Sequence, residues 1–214
     1  MTNKIWQAYF SHEDILVESS LCQYQGHFRL DELVIKFKKF DNQWTSSVVR
    51  EKISRANAVA VLLYDPLQDK VVLVEQLRVG CIQDQSISSP WLLELVAGLV
   101  SPGEDAQETA IREIEEEAGV KLEKQNLISI GEYYNTPGAF TERTSVYCAL
   151  VDSTHLGGIF GLEHEHENIK VHALAFQSIF KQLAENQFLT SASTVIALQW
   201  LKLNRENFYV NKVT

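Results

Sequence analysis

Residues 98–120 read Gly98-Leu99-Val100-Ser101-Pro102-Gly103-Glu104-Asp105-Ala106-Gln107-Glu108-Thr109-Ala110-Ile111-Arg112-Glu113-Ile114-Glu115-Glu116-Glu117-Ala118-Gly119-Val120. A glycine loop feeds a segment crowded with glutamate, and its phase decides how the rest of the chain is read. With Ile114 at zero on a helical wheel, at about 100° per residue, Ala106, Ala110, Ile111 and Ala118 form one broad apolar arc. Glu113, Glu116 and Glu117 fall together on its flank, as i, i+3 and i+4 neighbours. Glu115 points away from them and is expected to face solvent. Three carboxylates held so close repel one another and raise each other's pKa unless a cation sits among them. Oxygen-only donors suit magnesium, with manganese as the alternative. The competing reading is a solvated acidic helix face.

The whole chain sets the frame. Its 214 residues are 45% hydrophobic and 22% charged, enough to bury a substantial core as one domain with an appendage or as two small domains. A net charge of −9 disfavours a general surface for polyanions, so nucleic acid is not an expected partner. An anionic small molecule would need metal ions and a few placed arginines to offset that field. Residues 1–20 are polar and acidic, and the apolar run at 58–63 is far too short to span a bilayer. A cytoplasmic protein without a membrane partner is the expectation. Cys22, Cys81 and Cys148 are widely spaced, with no Cys-x-x-Cys pair, which argues against a disulfide framework and a structural zinc site.

Alternation and turn residues predict strands at 15–24, 28–40, 48–55, 58–64, 70–76, 91–96, 127–135, 145–151 and 169–176, and helices at about 178–185 and 193–204. Residues 1–56 form an N-terminal antiparallel β domain, too small to be comfortably stable alone. Residues 57–214 form the larger domain. Its order of strands and helices implies an α/β/α sandwich with a mixed sheet. Between the strands ending near Asp152 and starting at Ile169 lies a long glycine-bearing connection, of the kind that often forms a functional lid. It ends in Glu163-His164-Glu165-His166-Glu167, which in extended form places the glutamates on one side and the histidines on the other. One carboxylate could complete a metal site and another could take a proton from water. A zinc site at His164 and His166 is a rival reading, since zinc prefers nitrogen and sulfur donors. Carboxylates with bound magnesium point to substitution at phosphorus.

The stretch at 98–120 resembles the Nudix pattern at each of its specified positions: Gly98, Glu104, Arg112-Glu113, Ile114, Glu116-Glu117 and Gly119-Val120. With residues 71–78, 91–98, Gly161-Leu162, Glu165, Glu167 and 192–201, the chain resembles the bacterial ADP-ribose pyrophosphatase branch of the Nudix hydrolases. Pro137, seventeen residues past Val120, is similar to the proline of ADP-ribose-specific members. The resemblance implies magnesium-dependent hydrolysis of ADP-ribose to AMP and ribose 5-phosphate. It gives metal contacts to Glu113, Glu116, Glu117, Glu167 and the Ala97 carbonyl, and the role of general base to Glu165. It assigns Arg50 and Arg78 to the diphosphate, Phe28 to adenine and Glu142 to the terminal ribose. Glu104 and Arg112 are expected to form an orienting ion pair. A homodimer with exchanged N-terminal domains is implied as well. For Arg50 a surface ion pair stays open, and for Phe28 a place in the core. A Nudix hydrolase of another nucleoside diphosphate derivative and a non-catalytic ADP-ribose sensor are the rival functions.

Overall fold

The computed structural model describes residues 6–208; residues 1–5 and 209–214, the ends of the two expected domains, lie outside the described residues. The chain divides into two compact units, residues 1–55 with 136–142 and residues 56–135 with 143–214. In the first unit, β1 (Ile15–Gln25), β2 (Arg29–Phe37) and β3 (Val48–Ser54) form an antiparallel sheet in that order. Residues 136–142, read from sequence as part of the larger domain, group here instead. The reason is a backbone bridge: Ile53 N–H donates to the Ala139 carbonyl at 2.8 Å, and Thr141 N–H to the Ile53 carbonyl at 3.0 Å.

The second unit is built on β4 (Ala58–Asp65) and β5 (Lys70–Leu77), whose near-continuous apolar runs mark strands covered on both faces. Around them lie β6 (Trp91–Glu94), β7 (Val96–Leu99), β8 (Leu127–Tyr134), β9 (Arg143–Leu150), β10 (Gly158–Phe160) and β11 (Ile169–Ala175). The sheet runs β10-β11-β5-β4-β9-β8, with β6 added to β5 and β7 to β4. It is mixed, because β4 and β9 are parallel and the other pairs antiparallel. Side chains of β4 alternate between two cores. Val59, Val61 and Leu63 pack with Ala110, Ile114 and Ala118 of helix α1 (Ala106–Ala118). Ala60, Leu62 and Tyr64 pack with Phe176 and Ile179 of α2 (Phe176–Ala184) and with Ala197, Leu198 and Leu201 of α3 (Ala192–Asn204). Two helical layers enclosing a mixed sheet make an α/β/α sandwich.

Two expectations about strands are corrected. The run at 91–96 is not one strand. It breaks at Leu95, whose N–H leaves the sheet for the Thr194 hydroxyl of α3 at 3.1 Å, so β6 pairs with β5 and β7 with β4. The long connection after β9 is shorter than it reads, because β10 pairs with β11 inside it. No helix among the described residues is long and apolar enough to cross a membrane. Cys22, Cys81 and Cys148 are free thiols, and burial pushes Cys148 up to about 12, out of the range of ready reactivity.

Candidate active site

Helix α1 is pinned at both ends. Asp105 is its N-cap, accepting from the Gln107 and Glu108 amides at 2.9 and 2.8 Å, while the Glu108 carboxylate accepts from the Asp105 amide. Such a capping box is worth about 1 kcal/mol. The helix stops at Gly119, which turns left-handed at φ 67°. The apolar arc faces the sheet, and Glu113 and Glu117 go inward with it, 9% and 1% exposed. Glu115 faces solvent and pairs with Lys121 at 3.1 Å.

What each carboxylate touches shows how the face is organised. Glu117 accepts from the Ala97 backbone N–H at 2.9 Å and, at 3.4 Å, from the Gln76 amide. Ala97 thus meets Glu117 through its N–H. Glu113 lies so close to the β7 backbone that a Cβ on Gly98 would collide with its carboxylate and push that side chain from its place. Arg112 reaches Glu113 and Glu116, each at 2.8 Å, and Glu104 at 3.2 Å. Glu104 also accepts from the Thr109 hydroxyl at 2.9 Å, which ties the loop before the helix to its second turn. Burial alone would lower the proton affinity of Arg112, but these three carboxylates hold it above the ordinary value.

Burial pushes Glu117 up to about 8, against the Ala97 N–H, and the charges of Glu113 and Glu167 add to the rise. Burial likewise raises Glu113; Arg112 opposes it, and Glu116 and Glu167 add to it. Glu167, on the far loop, therefore acts on both buried helix carboxylates. Among the described residues no three acidic, His or Cys side chains close into a metal cage. The arrangement is a set of neighbouring carboxylates, some of them turned to Arg112 and Ala97. Its chemistry nevertheless fits a hard divalent cation: all oxygen donors, partly desolvated, with burial and the neighbouring carboxylates raising the proton affinity of Glu113 and Glu117.

The loop glutamates are not in the extended alternation expected of them. Residues Glu163–Glu165 form a turn of 3-10 helix, and His166 is left-handed at φ 57°. The cause is a double clasp in which Glu167 N–H donates to the Leu162 carbonyl at 3.2 Å and Leu162 N–H donates to the Glu167 carboxylate at 3.1 Å. Glu167 is oriented by this clasp. Glu165 stands exposed on the turn, 3.8 Å from His164. Arg78, at the end of β5, binds Glu94 of β6 at 2.5 Å, and its charge reaches Glu117.

In the first unit, Phe28 lies in the β1–β2 turn, with the Arg55 guanidinium 5.4 Å above its ring and His27 edge-on at 5.0 Å. Arg55 in turn pairs with Glu142 at 3.1 Å. Phe28 is half exposed rather than core, and it is brought together with Glu142 through Arg55. Arg50 stands apart on β3, donating to the Val49 carbonyl at 2.8 Å. Sequence reasoning missed Gln76, Glu94 and Arg55. The first two had a signal in their adjacency to Arg78 and to the strand entering the glycine loop; Arg55 had none.

A mixed sheet between helices, with a capped carboxylate helix against a glycine-bearing strand and acidic residues delivered from a loop, defines the Nudix class of α/β/α sandwich. The NUDIX domain pattern matches residues 54–192, and the chain belongs to that family. It is 39% identical over 197 residues to the ADP-ribose pyrophosphatase of Haemophilus influenzae, covering 92% of this chain and 89% of that protein. It is 34% identical over 197 residues to the ADP-ribose pyrophosphatase of Escherichia coli, covering 92% of each. Its identity to the GDP-mannose pyrophosphatase of Yersinia pestis is 28% over 194 residues, 89% of this chain and 93% of that one. A crystal structure described as an ADP compounds hydrolase shares the fold, with a TM-score of 0.64 at 20% identity over 96% of this chain and 100% of that chain.

Proposed function

We propose that the chain hydrolyses the diphosphate bond of ADP-ribose, giving AMP and ribose 5-phosphate, in the cytoplasm and with magnesium, or alternatively manganese, as cofactor. The observation that carries this reading is the convergence of Glu113, Glu117 and Glu167, the first two buried: burial first, and their shared field after it, raise the proton affinity of Glu113 and Glu117, which a cation would relieve. Glu113, Glu116, Glu117, Glu167 and the Ala97 carbonyl would hold the cation. When bound, it would neutralise diphosphate charge and make a water more acidic.

The protein's own groups do the rest. Glu165, whose side chain stands exposed on the turn, takes the proton from the attacking water. Arg78 binds diphosphate oxygens with its guanidinium oriented by Glu94, and Arg50 binds them from the N-terminal unit. Phe28 offers a half-exposed ring to adenine, and Glu142, held by Arg55, accepts from the terminal ribose. Glu104 and Arg112 keep the glycine loop and helix in register. A homodimer with exchanged N-terminal units is supported by β1, which is exposed along its whole length and carries Leu16, Val17, Leu21 and Tyr24.

The GDP-mannose relative favours a second reading, hydrolysis of another nucleoside diphosphate derivative. A non-catalytic ADP-ribose sensor is disfavoured, since every acidic position of the Nudix pattern is filled. A panel of ADP-ribose, ADP-glucose, GDP-mannose, NADH and diadenosine compounds with magnesium decides among them. The expected result is AMP release fastest from ADP-ribose; a higher kcat/KM for another member reassigns the substrate, and none for any member supports the sensor.

A further inference from the structure

The turn that carries Glu163, Glu165 and Glu167 is fastened to the helix by one side chain. Phe160 ends β10, paired with Ile169, and the acidic turn is the chain between these two residues. One edge of the Phe160 ring faces Gly119 and the other faces Gly158. A Cβ on Gly119 would lie 2.5 Å from Phe160 Cε1, and a Cβ on Gly158 would lie 3.4 Å from Cε2. Both glycines have positive φ, 67° and 117°, so neither is readily replaced. The ring also packs against the core that contains Ala110, Ile114, Ala118 and Ile169.

The next residue extends the fastening. Gly161 N–H donates to the Glu116 carbonyl at 3.2 Å, while Gly119 and Val120 N–H groups take the carbonyls of Glu115 and Ile114. The loop thus supplies a cap to the C-terminus of the helix. One residue later comes Leu162, whose N–H orients the Glu167 carboxylate. The path from the helix end to Glu167 is short and bonded at each step: ring in its slot, Gly161 on Glu116, Leu162 on Glu167.

We propose that Phe160 is a positioning residue, a latch seated between Gly119 and Gly158 that sets where Glu165 and Glu167 stand relative to Glu113 and Glu117. Its effect on turnover rests on the hydrolase reading above. The alternative is that Phe160 only fills the core, in which case its removal lowers stability and leaves turnover of the folded protein unchanged.

The test uses the full chain with Phe160→Ala and the milder Phe160→Leu, in steady-state hydrolysis of ADP-ribose with magnesium and in amide hydrogen exchange. Phe160→Ala is expected to lower kcat by about thirtyfold with KM within about threefold, as for a displaced catalytic group, and Phe160→Leu to recover most of it. Exchange at Gly161 and Leu162 should quicken by about tenfold while the amides of α1 and β4 keep their protection. Unchanged kcat, unchanged exchange at those two amides, or exchange quickened throughout the sandwich would overturn the latch. If Phe160→Ala does not fold, Phe160→Leu carries the same comparison at smaller amplitude. Should the unsubstituted protein fail to hydrolyse ADP-ribose, the substrate reading falls, and exchange at Gly161 and Leu162 still decides whether the latch exists.

Discussion

Glutamates meet from two directions in the second unit, and their surroundings differ. Those of α1 sit on a helix capped at both ends, with Glu113 and Glu117 desolvated and tied to Arg112 and to the Ala97 N–H. Those of the 163–167 turn are largely solvated and self-bonded, with Glu165 57% exposed. The same side chain acquires a high proton affinity in the first place, where burial dominates. A rigid, buried set is suited to holding charge in a fixed place, and an exposed turn to moving a proton. Glu167 joins the two, because it is oriented by its own turn yet raises the proton affinity of both buried helix residues.

The largest effect is expected from the buried set. Glu117→Gln should lower turnover by about a thousandfold, since it removes a donor from the cation site. The protein should stay folded, as followed by circular dichroism, because glutamine matches the size of the buried side chain and keeps an oxygen to accept from the Ala97 N–H. Full activity in this variant would erase the distinction between the two regions. Glu165→Gln should lower kcat by about a hundredfold with little change in KM, as for a lost general base. An unchanged rate would move the proton-accepting role elsewhere.

How much of this contrast was legible in sequence depended on whether the deciding interactions were local. The phase of α1, its buried Ile114 and its exposed Glu115 follow from spacing alone, as do β4 and β5 from their apolar runs. The break at Leu95 was not legible, because the acceptor of its N–H is Thr194, on a helix near the other end of the chain. The alternation at 163–167 was read in extended form within a loop, and the Leu162–Glu167 clasp overrides it. Residues 136–142 read as part of the larger domain, yet Ala139 and Thr141 bond to Ile53. Within the site, the identity of the acidic residues was visible, whereas Gln76, Glu94 and Arg55 enter only through contacts made in space.

A smaller effect concerns pH. Because Glu117 rises from an ordinary 4.5 to about 8 on folding, the folded state binds its proton more tightly than the unfolded state. Its contribution to stability is complete below about 4.5 and is lost as pH rises through about 8. Thermal unfolding in chelator should therefore show Tm falling over that interval, and Glu117→Gln should flatten the fall. An equally steep fall in the variant would assign the dependence to other groups. The smallest effect is Glu115→Gln, where loss of an exposed pair with Lys121 should leave activity and Tm nearly unchanged. A loss above about tenfold would show that the helix phase does not separate bound from bystander carboxylates.

Manganese binding, followed by the loss of its free-ion paramagnetic resonance signal, addresses the buried carboxylate set without relying on turnover. Titration of the unsubstituted chain, Glu117→Gln and Glu115→Gln should give saturable binding in the first and last, weakened by at least about tenfold in Glu117→Gln. Equal affinity in all three chains would contradict the assignment of the cation to the inner face of α1.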